Sequence, residues 1–422
     1  MFIDYNFKEG NIMKFAHLAD THLGYRQFGL LDREKDFYEV FEKTIDKIIE
    51  EKVDFVIHSG DLFETAKPSP VTLLVFQKAL LKLKGAGIPM YAIAGNHDTT
   101  LRKGTIPPQV LFKKFGLKVI SLINTDYIEG EDIFIGGIPY IPKSQNNLLK
   151  DRLKNLSKKA EGHSKKILVL HQGIDKYLPF EYELEIGDIP NNFDYYAFGH
   201  VHNYIKEPFN EGFLVYPGSM DIWKSNEIMD YRKNGKGFCI VDLDAPNHPI
   251  KRVKIDIPRE FISKTIDSSN LTHEILNIKS MIKDLKNKPI LNLTIKNSKL
   301  SNSDIYDLIN SELGDLCLLI RPIFKSNDTL SDKEIDISEI DSLEPKTLLN
   351  EHLKSFENQD ISNLAIDLYE NLSKDNIEES EKLIESFYND YFEEINVSEE
   401  DITDAGENNE QTELKEFDND IQ

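Results

Sequence analysis

Five short clusters of carboxylate, imidazole and amide side chains each close an apolar run in this sequence. They are Asp20-Thr-His22, Gly60-Asp61, Gly95-Asn96-His97-Asp98, His171-Gln and Gly199-His200-Val-His202. Together Asp20, His22, Asp61, Asn96, His171, His200 and His202 offer two carboxylates, four imidazoles and one amide oxygen. That set suits borderline divalent ions such as Mn²⁺, Fe²⁺ or Zn²⁺, and is too rich in nitrogen for Mg²⁺ or Ca²⁺ alone. Asp20 and His22 are two residues apart, as are His200 and His202, a spacing that shares one face in extended backbone. Taken singly, an imidazole after a strand is ordinarily a hydrogen-bonded structural residue, and a Gly-Asp is ordinarily a turn. His58 and His163 are read that way. Five strand ends carrying ligand types in one domain outweigh the bland reading, because side chains just past strand ends converge on one crevice.

The elements that must position these residues follow from periodicity. Short apolar runs at Phe15–Ala19, Phe55–Ile57, Met90–Ala94, Ile133–Ile138, Ile167–Leu170, Tyr196–Phe198, Phe213–Tyr216 and Phe238–Val241 read as strands. Between the first two, Phe37, Val40, Phe41, Ile45 and Ile48 repeat at helical spacing, with Asp32 as the expected N-cap. Pro68 and Pro70 precede a helix over Val71–Lys84 that is apolar on more than one face, so it is either buried or part of a dimer interface. After Ala245-Pro246, strands at Arg252–Ile257, Ile290–Ile295 and Cys317–Ile320 alternate with helices at Asn270–Lys286 and Ser301–Glu312, a small β-α-β-α-β unit. Helical stretches follow at Glu344–Phe356, Asp360–Leu372 and Asn376–Phe392. The expected division is an extension over 1–13, a catalytic domain over 14–248, the small domain over 249–326 and a linker over 327–342. A helical segment over 343–395 and an acidic, disordered tail over 396–422 complete it.

Charge is distributed unevenly. The net charge is −23, yet residues 331–422 hold 29 acidic and 6 basic side chains, while the first 330 residues hold 44 of each. The acidity belongs to the tail, and a nucleic-acid substrate for the front of the chain is not excluded. The two cysteines, Cys239 and Cys317, lie far apart and read as buried thiols in a reducing cytoplasm. There is no apolar run long enough for a membrane span, and Met1–Asn11 lacks the features of a signal peptide.

In this order the five clusters resemble the signature of the calcineurin-like metallophosphoesterases, over residue 14 to about 220. The resemblance implies an α/β fold, a four-layer α-β-β-α sandwich with two mixed sheets between helices. It implies two divalent metal ions, one held by Asp20, His22 and His202 and the other by Asn96, His171 and His200, with Asp61 bridging. His97 would be the catalytic residue that is not a ligand, stabilising the transition state or protonating the leaving oxygen. Asp98 would orient and charge it. Within the superfamily, Met13–Gly24 (MKFAHLADTHLG), Val56–Phe63 (VIHSGDLF), Pro68-Ser-Pro70 and Tyr216-Pro-Gly-Ser219 are similar to the SbcD/Mre-eleven family of DNA double-strand-break repair nucleases.

That family implies DNA as substrate, Mn²⁺ as the ion, a homodimer, and a cytoplasmic, nucleoid-associated place of work. It also implies an SMC-like ATPase partner of the SbcC/Rad-fifty type, docked through the C-terminal helices. The small α+β domain would cap DNA over the site. A His often follows Asp-Leu-Phe in the family and is linked to positioning DNA for exonuclease work; here that position is Glu64, which leaves the balance of exonuclease and endonuclease action open. Tyr25, Arg26, Gln27, Lys67, Arg102 and Lys103 are the candidates for contact with DNA phosphates. A protein phosphatase would show Gly-Asp-x-Val-Asp-Arg-Gly, against Gly60-Asp61-Leu-Phe-Glu64 here. A small-molecule or cyclic-nucleotide phosphodiesterase is the alternative, but needs no capping domain or helical tail. A non-catalytic scaffold would not keep all seven ligands.

Overall fold

The computed structural model describes residues 13–99, 106–129, 133–245, 249–297, 301–324, 359–372, 379–380 and 382–387. The expectations for the first dozen residues, Arg102 and Lys103, the linker, the helix at Glu344–Phe356 and the acidic tail lie outside the described residues.

The alternation of apolar side chains in the first strand, β1 (Lys14–Leu18), decides how the layers stack. Phe15 joins one core and Ala16 and Leu18 join another, because successive side chains face opposite sides of a strand. β1 is central in a six-stranded sheet with β2 (Phe55–His58), β3 (Met90–Ala92), β4 (Leu117–Val119), β11 (Lys236–Asp242) and β12 (Ile250–Ile255). Its order is β12-β11-β1-β2-β3-β4, parallel from β1 to β4 and antiparallel at β11 and β12.

The second sheet holds β5 (Asp126–Glu129), β6 (Ile133–Ile138), β7 (Lys165–His171), β8 (Tyr195–Gly199), β9 (Ile205–Phe209) and β10 (Gly212–Tyr216). They run in the order β5-β6-β7-β8-β10-β9. Phe15, Phe55, Ile57 and Tyr91 of the first sheet pack on Ile135, Ile167, Val169 and Tyr195 of the second. Phe15 and Phe55 stack at 4.9 Å between ring centroids, a geometry that adds about 0.5–1.5 kcal/mol to the area they bury.

Helices cover the outer faces. α1 (Leu31–Glu50) and α2 (Pro70–Gly85) lie on the first sheet through Val40, Phe41, Ile45, Phe76 and Leu83. α3 (Asn146–Ala160) covers the second through Leu149, Leu153 and Leu156. The result is the four-layer α-β-β-α sandwich. α1 starts two residues earlier than expected: Leu30 is its N-cap and Asp32 sits in the first turn, where its charge favours the helix dipole. In α2, Ser69 caps as Pro68-Ser-Pro70 suggests, its hydroxyl accepting from Thr72 N–H at 3.2 Å. Phe76 and Leu83 are buried, while Val71, Leu74 and Leu81 stay exposed on the other face.

The small domain differs from the sequence reading in its first strand. Residues 250–255 form β12, which extends the first sheet by pairing antiparallel with β11. The three-stranded sheet is instead β13 (Phe261–Asp267), β14 (Ile290–Lys296) and β15 (Leu319–Phe324), all parallel. α5 (Leu271–Ile282) and α6 (Asn302–Leu313) provide the crossovers, so residues 250–255 belong to the first sheet and not to the small one. Arg259 ties the domains together. Its guanidinium donates to the Asp36 carboxylate at 2.7 and 3.2 Å and to the Lys288 carbonyl, and fully buried Arg33 donates to Asp36 at 2.6 Å. Asp36→Ala leaves two buried guanidiniums short of their shared anion and is expected to cost about 3–5 kcal/mol, read from urea unfolding.

Residues 328–422 form a second unit, which contains α7 (Gln359–Leu372), and residues 379–380 and 382–387 are helical too.

Candidate metal centre

The centre forms where the strand ends meet, and backbone bonds hold the first two clusters side by side. Beyond β1 and β2, Asp20 N–H donates to Gly60 O at 3.0 Å, His22 N–H to Asp61 O at 3.1 Å, and Leu23 N–H to Leu62 O at 3.0 Å. The ligand residues do not continue as extended strands, which corrects the expected reason for their spacing. Asp20, His22, Asp61 and His200 have φ of 51°, 44°, 53° and 91°, half of the eight non-glycine residues with positive φ among those described. Each left-handed residue costs about 1–3 kcal/mol and persists only where its surroundings impose it. The left-handed turns let one strand end serve two places: His200 and His202 join different donor groups.

Two donor groups stand side by side. In the first, Asp20, His22 and His202 offer atoms within 4.8 Å of one another; in the second, Asp61, His171 and His200 do so. Asn96 belongs with the second, its Oδ1 lying 3.1 Å from His171 Nε2 and 2.9 Å from His200 Nδ1. Asp61 lies between them, its Oδ2 3.2 Å from His171 Nε2 and 3.9 Å from His22 Nε2. Burial alone would raise its carboxyl, but His171, His22 and His97 hold it well below the usual carboxylate range. It therefore stays anionic.

The imidazoles are oriented from behind. His22 Nδ1 donates to Glu64 Oε2 at 2.8 Å, His202 Nδ1 to Glu227 Oε1 at 2.9 Å, and His171 Nδ1 to the Ser59 carbonyl at 2.7 Å. Those bonds place a proton on each Nδ1 and turn the Nε2 atoms inward. The His22 and His202 Nε2 atoms then lie only 3.1 Å apart. At that distance the two nitrogens either share a proton or face a common cation. This juxtaposition, with Asp20 and the ionised Asp61 next to it, fits the residues to divalent metal ions. His200 fits too: burial, then the charge of His171, lowers it to about 3 and keeps it neutral, as a ligand must be.

Glycine is required where the loops nearly touch. A Cβ on Gly95 would meet Asp61 Oδ1 at 2.0 Å, and one on Gly60, at φ +98°, would meet His171 Nδ1 at 2.2 Å. Gly95→Ala is therefore expected to displace the shared carboxylate and weaken metal binding by about 10- to 100-fold, as losing a supporting contact does, measured by calorimetric titration of the metal-free protein.

His97 is a quarter exposed, and its backbone N–H donates to Asp61 Oδ1 at 2.9 Å. Its Nδ1 donates to the Glu64 carbonyl at 3.0 Å, which leaves Nε2 available to a substrate. Asp98 does not orient it, contrary to expectation. The Asp98 carboxylate is fully buried and accepts from Leu62, Phe63 and Gly95 N–H at 2.8–3.1 Å. It pins two ligand loops together, and burial followed by the Asp61 charge pushes it up to about 7. His58 is buried behind the centre, bonded through Nε2 to Thr21 Oγ1 at 3.0 Å, in keeping with a structural role.

Three residues escape the sequence reading: Glu64 as a partner of His22, Glu227, and Trp223. Glu227 also binds buried Lys236 and accepts from Ser219 Oγ at 2.6 Å. Trp223 stacks on His22 at 5.2 Å and 26°. Its one available signal is that it is the only tryptophan of the chain, four residues past Tyr216-Pro-Gly-Ser219.

Among the rim candidates, Tyr25 lies against Trp223 and Phe37, Lys67 is exposed, and Arg26 is paired with Glu34. Gln27 is not at the rim. It is buried and staples its loop to the Ile222 and Trp223 carbonyls.

The calcineurin-like phosphoesterase model matches residues 13–204, which include all seven ligand candidates. The chain is 39% identical to the DNA double-strand break repair protein Mre11 of Methanocaldococcus jannaschii, over 90% of this chain and 100% of that protein. It is 35% identical to the protein of the same description in Methanococcus maripaludis, over 90% and 99%, and 32% identical to that in Saccharolobus solfataricus, over 87% and 97%.

Proposed function

The chain belongs to the Mre11 family of DNA double-strand break repair nucleases, within the calcineurin-like phosphoesterases, and from that premise we propose a Mn²⁺-dependent nuclease with His97 as its catalytic residue. It would act as an exonuclease and as an endonuclease on single strands. The observation that carries this reading is the pair of donor groups around one buried, ionised Asp61.

Asp20, His22 and His202 would hold one ion, Asn96, His171 and His200 the other, and Asp61 both. When bound, such ions neutralise phosphate oxygens and lower the pKa of a shared water. The chain's own side chains do the rest. Asp61, steadied by the His97 N–H, fixes the spacing of the two groups. The Glu64 carbonyl holds the His97 Nδ1–H and so turns Nε2 toward the scissile phosphate or the leaving oxygen, where Nε2 would donate the second proton of the imidazolium form. Hydrolysis of linear DNA with Mn²⁺, wild type beside Asp61→Ala, tests the reading. Loss of cleavage in the variant supports it, and unchanged cleavage overturns it.

The exposed Val71, Leu74 and Leu81 face of α2 supports a homodimer. Tyr25 and Lys67 are proposed DNA contacts, with Arg26 weakened by its tie to Glu34. The small domain would cap the DNA, and the work would place the protein on the nucleoid in the cytoplasm. No described helix is long and apolar enough to cross a membrane. The helices of the C-terminal unit would dock on an SMC-like ATPase of the SbcC/Rad-fifty type by laying apolar faces in a groove. Truncation after Lys325 is expected to leave Mn²⁺-dependent cleavage of single-stranded DNA intact and abolish co-purification with that ATPase. Retained co-purification would show that the docking site lies elsewhere.

A further inference from the structure

We propose that Glu64 is a positioning residue that sets two imidazoles at once, the ligand candidate His22 through its carboxylate and His97 through its carbonyl, with Trp223 as its clamp. The inference rests on the metal-centre reading above and adds to it a unit of two residues that no ligand pattern contains.

The backbone supplies the first part. Glu64 N–H donates to Leu23 O at 3.1 Å, and Phe63 bridges Leu23 in parallel, so Glu64 ends the short ladder that joins the first two ligand loops. Its place relative to His22 is thereby fixed before any side chain is considered. The carboxylate then reaches back across the ladder. One oxygen, Oε2, accepts from both His22 Nδ1 at 2.8 Å and Trp223 Nε1 at 3.2 Å. The other, Oε1, lies 3.6 Å from His97 Nδ1, the atom that donates to the Glu64 carbonyl at 3.0 Å.

Trp223 restricts the remaining freedom. Its indole stacks on His22 and meets the His97 and His202 rings edge-on at 5.5 and 5.1 Å. Held by Trp223 Nε1, the carboxylate cannot turn away without leaving two donors unpaired. The Glu64 side chain is 17% exposed and that of His22 is fully buried, so water screens their bond weakly. The contrast with neighbouring acids is what singles out Glu64. Asp98 is committed to three backbone N–H groups and Glu227 serves His202 alone among the imidazoles of the centre. Of these three acids, Glu64 alone touches both a ligand candidate's imidazole and the His97 ring. A rotation of His22 about its own axis, or a ring flip of His97 that removes Nε2 from the substrate side, breaks a bond to the same residue.

Trp223 is the only tryptophan, so its emission reports directly on the ring stacked upon His22. The experiment titrates the metal-free full chain with Mn²⁺, following tryptophan quenching and, by electron paramagnetic resonance, the free ion. Steady-state DNA hydrolysis at saturating Mn²⁺ is measured on the same samples. Wild type is compared with Glu64→Ala, Glu64→Gln and Trp223→Phe. Glu64→Ala is expected to bind Mn²⁺ about 10- to 100-fold more weakly, and to lose kcat beyond what added Mn²⁺ restores while KM for DNA holds. Glu64→Gln keeps one oxygen able to accept both N–H groups, so it recovers most of kcat and part of the affinity. Trp223→Phe, read by the free ion and kcat because it has no tryptophan, keeps a stacked ring without the donor and falls between, which provides a reading even if Glu64→Ala folds poorly. Wild-type affinity and kcat in both Glu64→Ala and Trp223→Phe would overturn the positioning role alone. A wild type that shows no Mn²⁺ response would overturn the metal-centre reading beneath it.

Discussion

His97→Ala is expected to lower kcat for Mn²⁺-dependent DNA hydrolysis by about 10²–10⁴-fold while the protein still binds two Mn²⁺ per chain. At about 1.4 kcal/mol per decade that is roughly 3–5 kcal/mol of transition-state stabilisation. The retention of metal is the discriminating half. His97 offers an atom to a donor group with His22 and Asp61, so on distances alone it could be a ligand. Its hydrogen bonding argues otherwise. Nδ1 is spent on the Glu64 carbonyl, and the His97 backbone N–H, which the alanine variant keeps, is what steadies Asp61. Its partial exposure suits a group that meets substrate, whereas His22 and His171 are fully buried. Paramagnetic counting of bound Mn²⁺ beside the kcat measurement decides the matter. Loss of one ion in the variant would make His97 a ligand, and unchanged turnover would remove it from the chemistry.

The ligand candidates are legible because their chemical types are rare together and each ends an apolar run. Neither condition holds for the residues that orient them. Glu227 is an ordinary acid 25 positions past His202, and only the close packing of α4 (Ile228–Asn234) and the turn before it brings the two together. Glu64 was noticed as a departure from a family pattern, with nothing in its neighbourhood to show that it faces His22. Asp98 shows the opposite failure. Adjacency suggested a partner for His97, but the turn at Gly95–Asp98 directs consecutive side chains to opposite sides, and the carboxylate satisfies backbone donors instead. The same limit explains the small domain. Residues 252–257 have the alternation of a strand, which cannot say which sheet it joins. Pairing with β11 captured β12, and the next apolar run, Phe261–Asp267, opened the small sheet instead. Left-handed backbone at four ligand candidates was invisible for another reason: Asp and His visit that region more often than most residues but still rarely, and tertiary contacts decide where they do.

Unequal loading of the two donor groups is the second large effect expected. The first group, Asp20, His22 and His202, has a carboxylate of its own besides the shared Asp61, and Glu64 and Glu227 stand behind its imidazoles. The second has the neutral Asn96 where the first has Asp20, and a backbone carbonyl behind His171. Without metal the second group also holds a proton. Burial opposes charge on His171, but Asp61 at 3.2 Å outweighs it and raises the imidazole to about 9. A cation entering there at pH 7 must expel that proton, a penalty of roughly tenfold per pH unit below 9 and so about 100-fold. The sign is fixed: the second affinity climbs as pH rises toward 9, and the first climbs with it, because burial opposes charge on His202 but Glu227 outweighs it and raises that imidazole too. Calorimetric titration of metal-free protein with Mn²⁺ at pH 7 and pH 8.5 should show two steps that both tighten at the higher pH. Asp20→Asn should erase the tight step, and Asn96→Asp should strengthen the weak one. Equal steps at both pH values would mean that the shared aspartate alone governs affinity, with the asymmetry of the surrounding carboxylates counting for nothing.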